Sequence, residues 1–85
     1  MDIQIGKVTH YYDKIGVAVV KIMNQPLKVG DKLRISGHDK EFNQTVESLQ
    51  IEHEQVKQVP KGETAGMKID QPVKEGDVLY LASEK

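Results

Sequence analysis

The side chains best suited to metal binding in this 85-residue sequence are three histidines, His10, His38 and His53. They lie far apart along the chain, whereas the ligands of zinc sites usually occur in closely spaced pairs. The spacing therefore predicts surface or strand-end histidines and no metal site.

Carboxylates are more numerous and fall close together in one acidic stretch, which contains Glu41, Glu47, Glu52 and Glu54. A catalytic pair of carboxylates needs a cleft that perturbs its pKa values. Outward-facing glutamates on a strand instead keep one sheet face solvated and protect an edge against aggregation. The chain has no nucleophile elbow, and segment 62–68 lacks the spacing of a phosphate-binding loop. We therefore expect no catalysis, no bound nucleotide and no other cofactor.

The basic side chains form a candidate binding surface made of Lys28, Lys32, Arg34 and Lys40. Lys32 and Arg34 share the outward face of one predicted strand, and the other two lie at its ends. Two interpretations stay open. The cations pair with the acidic stretch across neighbouring strands, each pair contributing about 0.2–1 kcal/mol, or they contact phosphate groups.

A second candidate surface is the first turn, with His10, Tyr11, Tyr12 and Lys14. Successive side chains of a strand point to opposite faces, so one of the two tyrosines must face outward. An exposed tyrosine beside a histidine and a lysine could stack on a base or anchor a protein partner. Alternatively, one ring fills the end of the barrel and the other covers a neighbouring strand. The alternation is compatible with either tyrosine as the exposed one.

A repeated segment marks the turns between the strands that position these residues. Segment 26–35 recurs 46 residues later as segment 72–81. Each copy has a proline, a lysine, a Gly-Asp pair and then alternating apolar residues. Proline fixes φ and glycine permits positive φ, so each copy predicts a turn that begins a strand. Segment 59–63 is a weaker third version. The turn residues are Gly30, Asp31, Gly62, Gly76 and Asp77, of which the aspartates are expected to accept hydrogen bonds from the turn backbone.

Alternation between these turns predicts six strands, with a seventh not excluded. They cover 2–12, 15–23, 31–37, 41–54, 64–70 and 77–82. A change of phase at Gly6 predicts a bulge, and a second bulge is expected near Glu47 and Ser48. Segment 15–23 is apolar on both faces and is expected to be the most buried strand. The sequence thus predicts an all-β fold, a small six- to seven-stranded antiparallel β-barrel.

Bulk composition limits the remaining possibilities. The length predicts a single domain over residues 1–85. The net charge of −1 argues against indiscriminate nucleic-acid binding. The sequence has no cysteine, which makes the cytoplasm the expected location. The longest apolar run, 15–20, is too short to span a membrane or form a signal peptide.

The order of these elements resembles domain 2 of the translational GTPases, such as elongation factor Tu and initiation factor 2, and the small translation elongation factor-like proteins. The segments that carry the resemblance are 27–37, 45–51, 61–69 and 73–79. A related barrel occurs at the C-terminus of collagenase-like peptidase family proteins, and segment 42–47 resembles that version.

The resemblance implies a barrel that contacts RNA, the ribosome or another protein, without the GTP-binding domain. Our main hypothesis is a translation-associated module that binds tRNA or ribosomal RNA through the two candidate surfaces. The alternative is a protein-interaction module that docks in trans on a separately encoded enzyme or GTPase. A small-molecule-binding barrel is disfavoured, because side chains fill the interior of so small a barrel. The oligomeric state is left open.

Overall fold

The computed structural model describes residues 3–37 and 40–82, so the expectation for His38 lies outside the described residues. All regular elements within these ranges are β-strands. They are β1 (Ile3–Tyr12), β2 (Val17–Ile22), β3 (Leu27–Lys28), β4 (Lys32–Ser36), β5 (Glu41–Thr45), β6 (Leu49–Ile51), β7 (Glu54–Val56), β8 (Gln58–Val59), β9 (Thr64–Lys68) and β10 (Val78–Leu81).

Eight of these strands form one antiparallel sheet in the order β5-β4-β10-β1-β2-β9-β6-β7, and β3 pairs with β8. The sheet curls into a barrel-like body that is not formally closed, with a Cα radius of gyration of 11.4 Å. The predicted all-β antiparallel fold is therefore confirmed.

The described residues form ten strands where the sequence predicted six or seven, because the predicted strand 41–54 divides into β5, β6 and β7 and because the short strands β3 and β8 were not predicted. Glu52 and His53 form a two-residue turn between β6 and β7, with φ values of 51° and 69°. Positive φ at both central residues is typical of a type I′ turn, whose usual sequence is Asn-Gly. The Glu-His pair carries no such signal, so the turn was missed.

The predicted bulge in β1 is confirmed. The pairing of β1 with β10 shifts register between Gln4 and Gly6, and its pairing with β2 shifts between Val8 and His10. A Cβ atom on Gly6 would lie 3.0 Å from the Lys21 carbonyl oxygen. Glycine therefore allows the two strand backbones to approach at the bend.

The core consists mainly of aliphatic side chains, joined by Phe42 and Met67, and nearly every strand contributes to it. On β2, Ala18, Val20 and Ile22 are fully buried, whereas Val17 and Val19 are only half-buried. The prediction that this segment is the most buried strand therefore holds for one of its two faces.

Three turns share one backbone pattern, and they span 28–31, 60–63 and 74–77. In each turn a glycine has a φ near +90°, namely 98° at Gly30, 90° at Gly62 and 96° at Gly76. The N–H of each glycine donates to the carbonyl of a buried residue in another strand or directly after one, at 2.9 Å to Val46, 2.7 Å to Ile22 and 2.9 Å to Val8. The N–H of that buried residue donates back to the carbonyl of Asp31, Glu63 or Asp77 respectively. Each turn is thus fixed to a different strand, or to the end of one, by two hydrogen bonds.

The two turns that contain aspartate have an additional internal contact. The Oδ2 atoms of Asp31 and Asp77 accept hydrogen bonds from the backbone N–H of Lys28 and Lys74, at 2.9 and 3.0 Å. The aspartates therefore hold the turn closed from within, in the position where the sequence analysis placed them.

The side chain of Gln44 connects strand β5 with the segment that follows β9. Its Nε2 donates to the Lys68 carbonyl at 3.0 Å, and its Oε1 accepts from the Asp70 N–H at 2.8 Å. These two strands lie far apart in the sheet order, so Gln44 bridges the seam at which the barrel curls on itself.

Candidate functional site

The two tyrosines of the first turn, Tyr11 and Tyr12, face opposite ways. Tyr11 is half-buried and packs against the core, whereas Tyr12 is 49% exposed. The rings of His10 and Tyr12 meet edge to face, with their centroids 4.4 Å apart. Nδ1 of His10 lies 3.9 Å from an Oε atom of Glu75, in the turn before β10. Tyr12 is therefore the outward tyrosine, and Lys14 lies exposed beyond it in the hairpin turn.

In the basic candidate surface, Arg34 and Lys40 make contacts within the protein. The Arg34 guanidinium pairs with the Glu41 carboxylate on β5 and lies 4.8 Å from the ring centroid of Tyr80 on β10. Lys40 Nζ donates to the Pro72 carbonyl. Lys28 and Lys32 are exposed. Cross-strand pairing therefore accounts for the position of Arg34.

The two surfaces lie on different strands of the sheet, because β10 separates β4 from β1. The structure does not join them into one continuous basic site. It instead brings Tyr12 together with residues that the sequence analysis did not select.

Tyr12 lines a groove of about 300 Å³ on the outer face of the sheet. Tyr12 and Ile15, from the β1–β2 hairpin, form one wall, and Ile15 is 66% exposed. Val17 and Val19 of β2 contribute to the floor. The groove is completed by Gln50, Glu52, His53, Thr64, Ala65 and Gly66.

The depression in the floor has a simple origin in the strand register. Gly66 on β9 lies opposite Val19 on β2 and opposite Gln50 on β6, so the middle of the face lacks one side chain. A Cβ atom on Gly66 would lie 3.3 Å from Cγ1 of Val17. Any larger residue would therefore begin to fill the groove.

The second wall is the strained turn formed by Glu52 and His53. Left-handed backbone at residues other than glycine costs about 1–2 kcal/mol per residue. Both side chains line the groove, so the strain lies beside the exposed apolar surface. Such strain concentrates at functional sites in proteins, where the surrounding structure maintains it.

The chemistry of the groove is that of a contact surface with one polar end. Its hairpin wall and floor are aliphatic and aromatic, and a carboxylate and an imidazole stand at the opposite wall. Over residues 3–37 and 40–82, no three His, Cys, Asp or Glu side chains lie together as metal ligands would. In the same ranges no helix is long and apolar enough to cross a membrane.

Comparison with known proteins gives curated relatives that are larger than this chain. An uncharacterised protease of Methanocaldococcus jannaschii is 39% identical over 83 residues, which are 96% of this chain and 20% of that protein. A collagenase of Porphyromonas gingivalis is 30% identical over 79 residues, which are 92% of this chain and 19% of the collagenase. No protein-family model matches the chain. The chain thus spans about a fifth of the length of these curated relatives.

Two solved structures share the fold of this chain. The C-terminal domain of a Geobacillus thermoleovorans protein assigned to the U32 peptidases superposes with a TM-score of 0.87 and 19% identity, over 94% of this chain and 92% of that domain. The selenomethionine variant of that domain gives a TM-score of 0.85, over 91% of this chain and 96% of the domain.

These relatives correct the main hypothesis of the sequence analysis. The matching proteins are a protease, collagenases and a peptidase domain, so the translation-factor assignment and the tRNA- or ribosome-binding function are wrong. The resemblance rested on Gly-centred turns, which in this chain fix turns to strands through backbone hydrogen bonds. Such turns report the fold, and a fold can serve unrelated functions. The secondary resemblance, to the C-terminal barrel of collagenase-like peptidases, agrees with the relatives.

The groove was missed for identifiable reasons. The apolar residues Val17 and Val19 were interpreted as core, although one face of β2 is only half-buried. A clue was available in the sequence, because segment 15–20 is apolar on both faces and both need not be buried. The contribution of Gly66 depends on the register between strands, which a single sequence does not specify.

Proposed function

We propose that this chain is a non-catalytic accessory module that docks on the peptidase part of an enzyme similar to its relatives. One observation carries the proposal. The chain is 39% identical to a protease over 96% of its own length, but this match covers only 20% of the protease. The shared segment covers nearly all of the barrel-like body, and the larger remainder of the relative is unmatched. Of the hypotheses derived from the sequence, the docking module on an enzyme agrees with this pattern.

The exposed residues of the groove support a docking role. Contiguous exposed apolar surface on a small protein marks an interaction site, and tyrosine is enriched among the residues that dominate binding energy. Tyr12 and Ile15 are exposed side by side on the hairpin, above the half-buried Val17 and Val19. We assign the docking surface to this groove.

Catalysis in this proposal belongs to the part of the enzyme that the chain contacts. His10, beside the groove, contacts Tyr12 and Glu75.

The test is a full-length chimera in which this chain replaces the matching fifth of the Methanocaldococcus jannaschii relative. Hydroxyl-radical footprinting of the chimera and of the isolated chain measures the oxidation rate of individual side chains. We expect Tyr12 and Ile15 to be oxidised several-fold more slowly in the chimera. Val29, which is 41% exposed and does not line the groove, is the internal control and should react equally in both.

Equal oxidation of Tyr12 in the chimera and in the isolated chain would contradict docking through the groove. Protection of Val29 without protection of Tyr12 would place the contact on another face. A chimera variant with Ile15→Ser should lose most of the protection at Tyr12, because it removes apolar contact area from the docked state.

A further inference from the structure

We infer that the groove receives an aliphatic side chain of the peptidase part, with a lysine or arginine of the same segment placed beside Glu52. This inference rests on the proposed docking function and adds the chemistry of the contacting segment. It follows from the shape of the groove, from its strained wall and from the distribution of charge along it.

The shape favours a side chain rather than a flat contact. The groove holds about 300 Å³, whereas one water molecule occupies about 30 Å³ in the liquid. Gly66 leaves space in the lining of the groove, because it has no side chain beside Val17. The floor is lined by valine side chains and Ala65, which offer no hydrogen-bonding group apart from their backbone. An aliphatic side chain entering here gains burial without leaving a polar group unpaired.

Charge orients the incoming segment. Glu52 is the only carboxylate among the lining residues, and within the described part of the chain it forms no ion pair. The exposed Glu54 follows it on β7. Charges around the rim are mixed: the hairpin turn holds both Asp13 and Lys14, Lys68 lies opposite Val17, and Lys21 lies opposite Thr64. A cation of the partner is therefore favoured beside Glu52, the carboxylate that lines the groove without an ion pair among the described residues.

The strained turn is consistent with this role. Glu52 and His53 occupy left-handed backbone conformations, which hold the Glu52 side chain at the wall of the groove. A wall that is fixed before binding loses less conformational entropy when the partner is bound. The position of Glu52 thus suits an ion pair at the rim of an apolar contact.

The experiment uses the same full-length chimera with three substitutions. Glu52→Lys reverses the proposed pair, and Glu47→Lys makes the same charge change at an exposed position that does not line the groove. Gly66→Ala narrows the floor. We expect protection of Tyr12 from oxidation to fall about two- to fivefold with Glu52→Lys and by less than twofold with Glu47→Lys. Gly66→Ala should also reduce it at least twofold, while cooperative thermal unfolding confirms that each variant is folded.

The outcomes separate this inference from the proposed function. If Tyr12 is protected in the parent chimera and stays equally protected in Glu52→Lys and Gly66→Ala, docking stands and the inferred chemistry of the partner is wrong. An equal loss with Glu47→Lys would overturn the specific pairing at Glu52. Concentration-dependent protection of Tyr12 in the isolated chain would identify a second copy as the occupant and overturn the inference. Absence of protection in the parent chimera overturns both.

Discussion

Arg34 and Tyr80 occupy equivalent positions in the two repeated segments and lie directly opposite each other on neighbouring antiparallel strands. The guanidinium carbon of Arg34 lies 4.8 Å from the centroid of the Tyr80 ring. In the repeat, Leu79 is equivalent to Leu33 and Leu81 to Ile35. The strands pair them crosswise, with Leu33 opposite Leu81 and Ile35 opposite Leu79. The two repeats are therefore related by a local two-fold axis that passes through the Arg34–Tyr80 pair.

The same symmetry extends to the turns. Val46 and Val8, which receive the backbone hydrogen bonds of the first and last turns, are both buried. Each copy of the repeat thus provides a turn that leads into one of two adjacent strands, β4 or β10. Backbone hydrogen bonds join that turn to another part of the sheet. The groove lies outside it, since its lining residues belong to neither repeated segment.

The turn glycines give a prediction about stability. Gly62 and Gly76 have φ values of 90° and 96°, and a Cβ atom at either would meet no atom within 4 Å. Alanine there should therefore cost only the backbone strain, about 1 kcal/mol in the free energy of unfolding. Urea denaturation measures this change. A cost below a few tenths of a kcal/mol would mean that the turns do not require positive φ.

The two turn aspartates should differ in importance because they differ in burial. Asp77 is 7% exposed, whereas Asp31 is half-buried, and each accepts one hydrogen bond from the turn backbone. Asp77→Ala should lower the free energy of unfolding by about 1–3 kcal/mol, since it leaves a shielded N–H group unpaired. Asp31→Ala should cost less. Chemical denaturation of both variants checks the order, and a reversed order would contradict it.

Gln44 provides a test of the barrel seam. Its amide makes one hydrogen bond to each of two backbone groups, at the last residue of β9 and two residues later, and the side chain is 7% exposed. Gln44→Met keeps the size of the side chain and removes both hydrogen bonds, so we expect a loss of about 1–3 kcal/mol. Amide hydrogen exchange should accelerate most at Asp70, whose N–H loses its acceptor. Unchanged exchange at Asp70 would show that the seam is held by other contacts.

The two adjacent tyrosines form a matched pair for distinguishing core from surface. Tyr11 packs against the core, whereas Tyr12 is 49% exposed. Tyr11→Ala should lower the free energy of unfolding by about 2 kcal/mol, and Tyr12→Ala by less than about 1 kcal/mol, mainly through the lost ring contact with His10. Thermal unfolding of both variants measures the difference. Equal losses would place both rings in the core and remove Tyr12 from the proposed docking surface.

The parts of the fold that depend on local chemistry could be predicted from the sequence. The turns around Gly30 and Gly76 follow from the conformational freedom of glycine, and the bulge at Gly6 follows from a change in alternation. The turn at Glu52 and His53 could not be predicted, because tertiary structure imposes its backbone conformation against local preference. The seam at Gln44 depends on contacts between residues distant in sequence.

The candidate site was less predictable than the fold. Tyr12 was selected because an exposed aromatic residue was expected at the first turn, and the structure places it at the wall of the groove. The basic strand was selected for its charge, but Arg34 contacts Glu41 and Tyr80 within the protein. The remainder of the groove depends on which strands are neighbours, and this information lies in the register of β2, β9 and β6.

The most direct measurement is a crystal structure of the full-length chimera in which this chain replaces the matching fifth of the Methanocaldococcus jannaschii relative. The proposed function predicts that Tyr12 and Ile15, which are 49% and 66% exposed in the isolated chain, are buried against the peptidase part. The inferred partner chemistry predicts an aliphatic side chain over Gly66 and a lysine or arginine beside Glu52. A structure in which the groove faces solvent while another surface of the barrel makes the contact would contradict the account.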